Sequence, residues 1–267
     1  MSKEAGALPT PVPAASVVIL RDGGDGLEVF MLERHQGSGQ TFAGAFVFPG
    51  GKVDPEDGAA AWRELAPVTA AHPEASYWVA AVRETFEEAG LLLARKPGAG
   101  HLVGSDHADR LVAAERGADR KGHSARFAGM IAREGLQLAA GEMVHFGHWI
   151  TPVWVPKRFD THFFLTAAPH EQEDNLDDRE SAEGVWITPQ EALAQAEAGR
   201  RTLVAVTRCT LELLATWKTV AEAMAGARQR TVVTVQPWME DRPTGKVLRI
   251  PVEAAYPRTE LEASKLR

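Results

Sequence analysis

The sequence predicts an α/β (α+β) fold in which helices are combined with a mixed β-sheet. Short runs of β-branched and apolar residues recur along the chain, and segments with helical spacing of apolar residues separate them. Of the 267 residues, 45% are hydrophobic, so the chain has enough apolar side chains for a sizeable core. Neither an internal repeat nor a dividing linker is visible in the sequence. We therefore expect one elaborated domain.

The predicted sheet begins with a hairpin, because apolar runs at 15–21 and 27–34 are separated by a glycine-rich turn. A third strand, 45–48, ends at Pro49-Gly50-Gly51, where proline and paired glycines force a tight backbone turn. The remaining strands are predicted at 143–150, 161–167, 184–187, 231–235 and 247–252.

Helices are predicted between these strands. Their expected spans are 59–65, 76–94, 126–140, 190–198 and 203–225. Thr188-Pro189 provides the N-cap and first turn of the helix at 190–198. The last helix is the longest amphipathic one, and its apolar stripe should pack against the core.

Composition excludes several classes of function. The formal net charge of −7 at pH 7 argues against nucleic-acid binding through a basic surface. No apolar stretch is long enough for a membrane-spanning helix, and residues 1–14 lack the pattern of a signal peptide and are expected to form a flexible arm. Cys209 is the only cysteine, so no internal disulfide can form, which favours a reducing, cytoplasmic setting. We expect Cys209 to be a small buried core residue.

Two histidines, His145 and His148, lie three residues apart in the predicted strand 143–150. Because strand side chains alternate between faces, this spacing should place the two imidazoles on opposite sides of the sheet. A zinc site is therefore not expected there.

The segment Arg83-Glu84-Thr85-Phe86-Glu87-Glu88-Ala89-Gly90-Leu91 carries the strongest indication of chemistry. On a helix, the side chains of Glu84, Glu87 and Glu88 lie opposite the apolar face. Three carboxylates in one patch repel one another, and Arg83 alone cannot balance them, whereas a hard divalent cation can. The pattern predicts a metal site, and the alternative is a solvated acidic face on a surface helix.

Two further features favour the metal site over a solvated face. The turn Phe48-Pro49-Gly50-Gly51 precedes the helix and ends a strand, where a backbone carbonyl is available as an additional metal ligand. Gly90 lowers helix propensity, which indicates a helix end or a close approach of two backbones.

These residues resemble the signature of the Nudix hydrolases, G-x(5)-E-x(7)-R-E-U-x-E-E-x-G-U, in which U is aliphatic. Gly51 opens the match, and the segment from Arg83 to Leu91 closes it. Asp57 stands where the signature has Glu, and Thr85 stands where it has an aliphatic residue. The signature places its Arg 14 positions after the first Gly, whereas Arg83 lies 32 positions after Gly51, so an insertion of 18 residues interrupts the box.

The interrupted box is similar to that of a Nudix subgroup typified by an acyl-coenzyme A diphosphatase. The similarity extends to other short segments, namely Leu32-Glu33-Arg34, Phe42-Ala43-Gly44-Ala45, Trp149-Ile150-Thr151-Pro152, Arg158-Phe159-Asp160-Thr161 and Trp186-Ile187-Thr188-Pro189. The resemblance implies one Nudix domain at 15–256, an α/β/α sandwich with a mixed central sheet, followed by a C-terminal tail at 257–267. Insertions are expected at about 58–80, within the box, and at about 98–141, where the sequence suggests helices.

The resemblance also implies roles for individual residues. Arg83 would be fixed by Asp57, and Glu84 would bind a second ion or orient the attacking water. The metal is expected to be Mg²⁺, with Mn²⁺ as a substitute, and its implied ligands are Gly50 through its carbonyl, Glu84, Glu87, Glu88 and a distal acid, either Glu180 or Glu183. For this distal pair, a position on the loop surface is the alternative. Arg34 and Arg158, at strand ends, are candidates for pairing with phosphate oxygens.

The function implied is a metal-dependent hydrolase that cleaves a diphosphate linkage in a nucleoside diphosphate joined to another group. The subgroup favours coenzyme A or acyl-coenzyme A, but Gln40 stands where related coenzyme A enzymes have Arg. Nucleotide sugars, ADP-ribose and dinucleoside polyphosphates therefore stay open as substrates. A Nudix-fold module that binds a nucleotide without cleaving it is the alternative, against which the intact glutamate trio argues. The expected partner is a small-molecule diphosphate, with neither nucleic acid nor membrane, and a homodimer is the candidate assembly.

Overall fold

The computed structural model describes residues 9–33, 45–67, 73–115, 122–169, 172, 184–243 and 245–262. Within these ranges the chain forms a mixed sheet of eight strands, a three-stranded antiparallel sheet and a two-stranded sheet. None of the helices in the same ranges combines the length and the apolar character that a membrane span requires.

The strands are β1 (Val12–Gly23), β2 (Gly26–Glu33), β3 (Phe46–Val47), β4 (Gly50–Lys52), β5 (Ala94–Arg95), β6 (Gln137–Leu138), β7 (Val144–Ile150), β8 (Phe159–Ala167), β9 (Gly184–Ile187), β10 (Thr234–Val235), β11 (Trp238–Arg242), β12 (Gly245–Arg249) and β13 (Glu260–Glu262). The α-helices are α1 (Trp62–Leu65), α2 (Ala75–Ala89), α3 (Ser105–Glu115), α4 (His123–Arg133), α5 (Pro189–Glu197), α6 (Ala205–Leu214) and α7 (Val220–Gln229). Short 3-10 helices cover Pro55–Gly58, Ala140–Glu142 and Val252–Ala254.

Strand β1 lies at the centre of the large sheet, whose order is β10-β7-β8-β1-β2-β3, with β9 on β2 and β4 on β1. It runs parallel to β8 along most of its length. On its other edge, the first half of β1 pairs with β4 and the second half with β2, both antiparallel. The β1–β2 pair is the predicted hairpin. The divided edge places Gly50 and Gly51 opposite Ser16 and Ala15, in the middle of the sheet.

The core is divided by the large sheet into two layers. Val17 and Ile19 of β1 belong to the layer that α2 and α4 cover, and Val18 and Leu20 belong to the layer that α6 and α7 cover. Burial of each such side chain contributes about 1.5–3 kcal/mol, so both layers stabilise the sheet. The expected α/β/α sandwich is confirmed. Cys209 is buried in the second layer, as expected, and burial raises the pKa of its thiol to about 12.

Helix α2 is shorter than the predicted helix at 76–94. It ends at Ala89 because Gly90 adopts a left-handed conformation, with φ of 66°, and its N–H donates to the Phe86 carbonyl at 2.9 Å. Leu91, Leu92 and Leu93 are buried outside any helix, and Ala94–Arg95 form β5. The prediction was wrong after Ala89 because a fully apolar run after Gly90 has the same composition in a helix and in a buried strand.

The predicted helix at 203–225 is also wrong, because α6 and α7 are separate helices. Thr219 begins the second one, and its hydroxyl accepts the N–H of Glu222 at 3.2 Å. A Cβ at Gly226 would lie 2.6 Å from the Trp217 ring, so α7 packs closely over this tryptophan. The Thr219 cap and the small Gly226 together allow the chain to turn between α6 and α7, and both helices cover one face of the sheet.

Shorter elements replace several other predicted segments, while the strand at 184–187 and the Thr188 cap are confirmed. The helix predicted at 59–65 is α1, preceded by the 3-10 helix Pro55–Gly58, and the helix predicted at 126–140 is α4, followed by β6. The strand predicted at 231–235 is β10, and the strand predicted at 247–252 corresponds to β12.

Strand β7 contains a β-bulge that changes which side chains share a face. His145 and Gly147 pair with consecutive residues of β8, so Phe146 is an extra residue in β7. After the bulge, His148 pairs with His162, and His145 also contacts the His162 ring. The prediction that His145 and His148 lie on opposite faces is wrong, because the bulge shifts the alternation by one residue.

Candidate active site

Helix α2 presents its carboxylates to the turn between β3 and β4. Its buried face, which includes Val79, Val82 and Phe86, packs in the core. Gly50 N–H donates to a carboxylate oxygen of Glu88 at 2.9 Å. The structure therefore joins the two halves of the interrupted sequence box, which are separated by 38 positions at this contact.

Positions 50 and 51, the first two residues of β4, have close neighbours where a side chain would begin. A Cβ at Gly51 would lie 2.4 Å from the carboxyl carbon of Glu84, and one at Gly50 would lie 2.4 Å from the Ala15 carbonyl oxygen. Gly51 thus lets the backbone of β4 lie directly against the Glu84 carboxylate, and Gly50 lets β4 pair with β1.

A buried ion pair holds the carboxylate-bearing helix in place. Arg83 and Asp57 are each 1% exposed, and the guanidinium donates to both carboxylate oxygens of Asp57, at 3.0 and 2.9 Å. Arg83 also donates to the Lys52 carbonyl at 2.9 Å, next to the glycine turn. Asp57 accepts a third hydrogen bond from the Asp54 N–H at 2.8 Å. The pairing that the resemblance implied between Arg83 and Asp57 is present, and the shorter acid reaches because it lies in a 3-10 helix.

The same guanidinium also contacts two of the glutamate carboxylates. Its Nη1 lies 2.7 Å from Glu84 Oε1 and 3.4 Å from Glu87 Oε2. Burial alone would lower the pKa of Arg83, but the hydrogen bond with Asp57 and the charges of Glu84, Asp57 and Glu87 raise it above its ordinary value. Arg83 is therefore a permanent cation, shared among three acidic side chains.

Glu84 is the most strongly perturbed acid of this group. Its pKa is raised to about 7 because burial and, to a smaller extent, the charges of Glu87 and Glu88 outweigh the opposing effect of Arg83. The three glutamates thus repel one another even with Arg83 in place. A donor set of several carboxylate oxygens beside a backbone turn fits a hard divalent cation such as Mg²⁺.

Thr85 explains how the box tolerates a departure from an aliphatic residue. It is fully buried, and its hydroxyl donates to the Ala81 carbonyl one turn earlier at 2.8 Å. The hydroxyl is therefore satisfied within the helix, and the methyl group faces the core as an aliphatic side chain would.

One residue at this site was missed in the sequence. His123 is the first residue of α4, and its Nδ1 lies 2.9 Å from Glu87 Oε2. Its other nitrogen, Nε2, is buried and has no hydrogen-bond partner within the described ranges. The helical insertion predicted at 98–141 thus contributes a side chain to the carboxylate group. No motif or periodicity links the two residues, which lie 36 positions apart, so the sequence could not indicate this contact.

Of the other predicted site residues, Arg158 lies within the described ranges. Arg158 is buried, and its guanidinium donates to the backbone carbonyls of Thr151 and Pro9 at 3.0 and 3.1 Å. Its binding of phosphate stays a prediction without a supporting contact. The predictions for Arg34, Glu180 and Glu183 fall on positions outside the described residues.

Comparison with known proteins gives similarities at three levels. The family model described as the NUDT19 Nudix domain matches residues 69–204. The chain is 31% identical to the acyl-coenzyme A diphosphatase NUDT19 of Gallus gallus, over 62% of this chain and 55% of the relative. It is 29% identical to putative nudix hydrolase 7 of Caenorhabditis elegans, over 66% of this chain and 51% of the relative. The chain thus spans about half the length of the curated relatives that it matches.

A solved structure extends the similarity to the whole fold. The crystal structure of a NUDIX hydrolase from Alicyclobacillus acidocaldarius superposes with a TM-score of 0.67 and 27% sequence identity. The superposition covers 82% of this chain and 97% of the other one. The alignment therefore extends over most of this chain and nearly all of that protein.

Proposed function

Because the chain belongs to the Nudix hydrolase family, in the group described by the NUDT19 Nudix domain, we propose that it cleaves a diphosphate linkage with the help of a divalent cation. The substrate class is a nucleoside diphosphate joined to another group. The observation that carries the proposal is that Gly50 bonds to Glu88 and Gly51 lies against Glu84, while the buried Arg83 bonds to both Glu84 and Glu87.

The proposed metal ligands are Glu84, Glu87, Glu88 and the Gly50 carbonyl, and Mg²⁺ is the proposed ion, with Mn²⁺ as a substitute. When bound, the ion supplies charge neutralisation for the phosphates and lowers the pKa of a bound water. The glycine turn fits this role because it brings backbone against the carboxylates without a side chain between them. A distal ligand from Glu180 or Glu183 remains part of the proposal.

The side chains of this chain position and deprotonate the attacking water. Asp57 and Arg83 fix the helix, so that the glutamates keep their relative positions. Glu84 either accepts a proton from the water or holds a second ion. In the metal-free protein its pKa is raised to about 7, and a bound cation would favour the charged carboxylate, which is the form that accepts a proton.

Coenzyme A and acyl-coenzyme A are the proposed substrates, because the Gallus gallus relative, at 31% identity, is named an acyl-coenzyme A diphosphatase. The chain spans only about half of that relative. Nucleotide sugars, ADP-ribose and dinucleoside polyphosphates are therefore included as alternative substrates.

A mass-spectrometric panel tests the proposal. The full chain is incubated with Mg²⁺ and acyl-coenzyme A, coenzyme A, a nucleotide sugar, ADP-ribose and a dinucleoside polyphosphate, and the products are identified. We expect two phosphate-containing products from the coenzyme A compounds and a loss of at least about 100-fold in Glu87→Gln plus Glu88→Gln, since a lost ion removes several kcal/mol of charge stabilisation.

The matched control is Glu253→Gln, which removes an exposed carboxylate from a short 3-10 helix far along the chain. It should turn over substrate at the parent rate. Turnover of no compound in the panel, or equal turnover by the double variant, would contradict the proposed function.

A further inference from the structure

We propose that β7 and β8 carry a second metal site, for a transition-metal ion such as Zn²⁺, with His148, Asp160 and His162 as its ligands. This histidine cluster shares no ligand with the glutamates of α2. One ligand atom from each of the three residues lies within 4.8 Å of the other two. The site is described by its own geometry and does not depend on the proposed diphosphatase activity.

The backbone of β7 is shaped so that these side chains meet. Phe146 is the extra residue of the bulge, and it returns His148 to the face that already holds His145. His148 then stands directly opposite His162 in the antiparallel register, and Asp160 lies two residues before His162 on the same face. Bulges commonly re-aim side chains next to functional sites, and without this one His148 would point into the opposite core layer.

Each imidazole is held by a second partner, as in known metal sites. His148 Nδ1 lies 2.8 Å from Thr234 Oγ1, and its Nε2 lies 2.5 Å from Asp160 Oδ1. His162 Nδ1 lies 2.8 Å from His145 Nε2. Metal-binding histidines usually use one ring nitrogen for the metal and the other for such an outer hydrogen bond. In the proposed arrangement both Nδ1 atoms keep these partners, and both Nε2 atoms bind the ion.

Burial and charge suit a cation at this position. His162 is 3% exposed, whereas the side chains of His148 and Asp160 are 13% and 31% exposed, so the site is anchored inside and open on one side. The Asp160 carboxylate lies at the open side of the site, and Tyr77 packs edge-on against the buried His162 ring.

The donor set selects the type of ion. Two imidazole nitrogens and one carboxylate oxygen are typical of zinc and related transition metals, whereas Mg²⁺ prefers oxygen alone. Three protein ligands leave a fourth position for water, as in open zinc sites. The two ligating rings are stacked, with centroids 4.0 Å apart and planes at 7°, so binding tilts them about χ2, which is a soft torsion.

The histidine cluster is close to the glutamates but separate from them. Ala15 of β1 pairs with His162 on one side and with Gly51 on the other. Because neighbouring strands lie about 4.8 Å apart, two strand spacings, about 10 Å, separate the two positions. An ion at the histidine cluster and an ion at the glutamate group would therefore have separate sets of ligands.

The experiment uses the full chain without a histidine tag and with Glu87→Gln plus Glu88→Gln, so that the glutamate site does not compete. Zn²⁺ binding is measured by calorimetry, and Co²⁺ is added as a spectroscopic probe. We expect one bound ion per chain and the visible absorption of nitrogen- and oxygen-ligated Co²⁺. Asp160→Asn, which is nearly isosteric, should weaken Zn²⁺ binding by at least about 10-fold, as should His148→Ala.

The control is His101→Ala, which removes an exposed histidine outside the cluster and should leave the Zn²⁺ affinity unchanged. Circular dichroism establishes whether each variant is folded. If His148→Ala does not fold, the conservative Asp160→Asn variant provides the test. Absence of Zn²⁺ binding, or the same affinity in Asp160→Asn as in the parent, would overturn the proposal in favour of a hydrogen-bonded cluster without metal.

Discussion

The glutamate group on α2 and the histidine cluster on β7 and β8 differ in how their residues are brought together. The glutamates lie within one helical turn of one another, and a buried ion pair fixes their helix. The histidine cluster is assembled from side chains on facing strands, with one bulge setting their phase. The relative positions of the glutamates are therefore set by their spacing along one helix. The histidine cluster forms only when β7 pairs with β8.

The two groups also differ in what each acid does for stability. Asp57 is inaccessible and is the main carboxylate partner of the buried Arg83. Asp160 is partly exposed and bonds to a histidine at the surface. Breaking a buried ion pair lowers the free energy of unfolding strongly, because the remaining charge is not solvated by water. Replacing a partly exposed acid lowers it much less.

The largest expected effect separates these two acids. Asp57→Asn should lower the free energy of unfolding by about 3–5 kcal/mol, because Arg83 would be left buried without its carboxylate. Asp160→Asn, made as the matched variant, should cost less than about 1 kcal/mol. Urea unfolding followed by circular dichroism gives both values. Equal losses in the two variants would mean that the glutamate group is no more tightly anchored than the histidine cluster.

The next effect concerns pH. Burial raises the pKa of Glu84 from 4.5 to about 7, so the folded protein holds this proton more tightly than the unfolded chain. The resulting stabilisation is fully present below pH 4.5 and is lost as the pH rises through 7. At about 1.4 kcal/mol per pKa unit, it is of order 3 kcal/mol.

We expect Glu84→Gln to remove this dependence and to be the more stable protein at pH 8, at the expense of activity. Urea unfolding in the presence of EDTA, from pH 5 to pH 8, measures the difference between variant and parent. Parallel curves for the two proteins would show that Glu84 titrates as an ordinary surface acid. Saturating Mg²⁺ should flatten the parent's curve, because a cation favours the charged carboxylate.

Local spacing explains which parts of the molecule could be predicted. The hairpin, the strand at 184–187 and the Thr188 cap follow from short-range pattern and turn chemistry. The glutamate trio follows from helical periodicity, and its link to the Gly50-Gly51 turn follows from the glycine turn that ends a strand and from the family resemblance. In each case the decisive residues are neighbours in sequence or belong to a known box.

The incorrect predictions concern features that local spacing does not determine. Gly90 does mark a helix end, as its low helix propensity indicated, but the predicted span to residue 94 followed the apolar run beyond it. The break at Thr219 depends on a single residue inside a long apolar pattern, which periodicity alone does not resolve. The bulge at Phe146 depends on how β7 meets β8, so the faces of His145 and His148 could not be predicted. His123 reaches Glu87 only because α4 packs beside α2.

A smaller effect tests whether the glycine turn is part of the glutamate group. Gly51→Ala would place a methyl group 2.4 Å from the Glu84 carboxyl carbon and displace that side chain. We expect turnover to fall by about 100-fold, as a misplacement of about 1 Å does in well-ordered sites. Gly58→Ala is the control, because nothing lies within 4 Å of its added Cβ. Unchanged turnover in Gly51→Ala would remove the turn from the proposed metal site.

The smallest expected effect compares two histidines that hold a neighbouring ligand. His123 bonds to Glu87, and His145 bonds to His162. Loss of such an outer partner typically weakens metal binding by about 10-fold or more. His123→Ala should therefore raise the Mg²⁺ concentration that gives half-maximal turnover, while the rate at saturating Mg²⁺ stays close to that of the parent.

His145→Ala should leave the Mg²⁺ dependence unchanged and weaken Zn²⁺ binding instead, because its partner belongs to the other group. Measuring both ions on both variants gives a four-way comparison. If each histidine affects only the ion of its own group, the two groups act independently across the two strands that separate them. If His145→Ala also shifts the Mg²⁺ dependence, a change at the histidine cluster reaches the glutamate group through β8 and β1. The two sites would then not be independent.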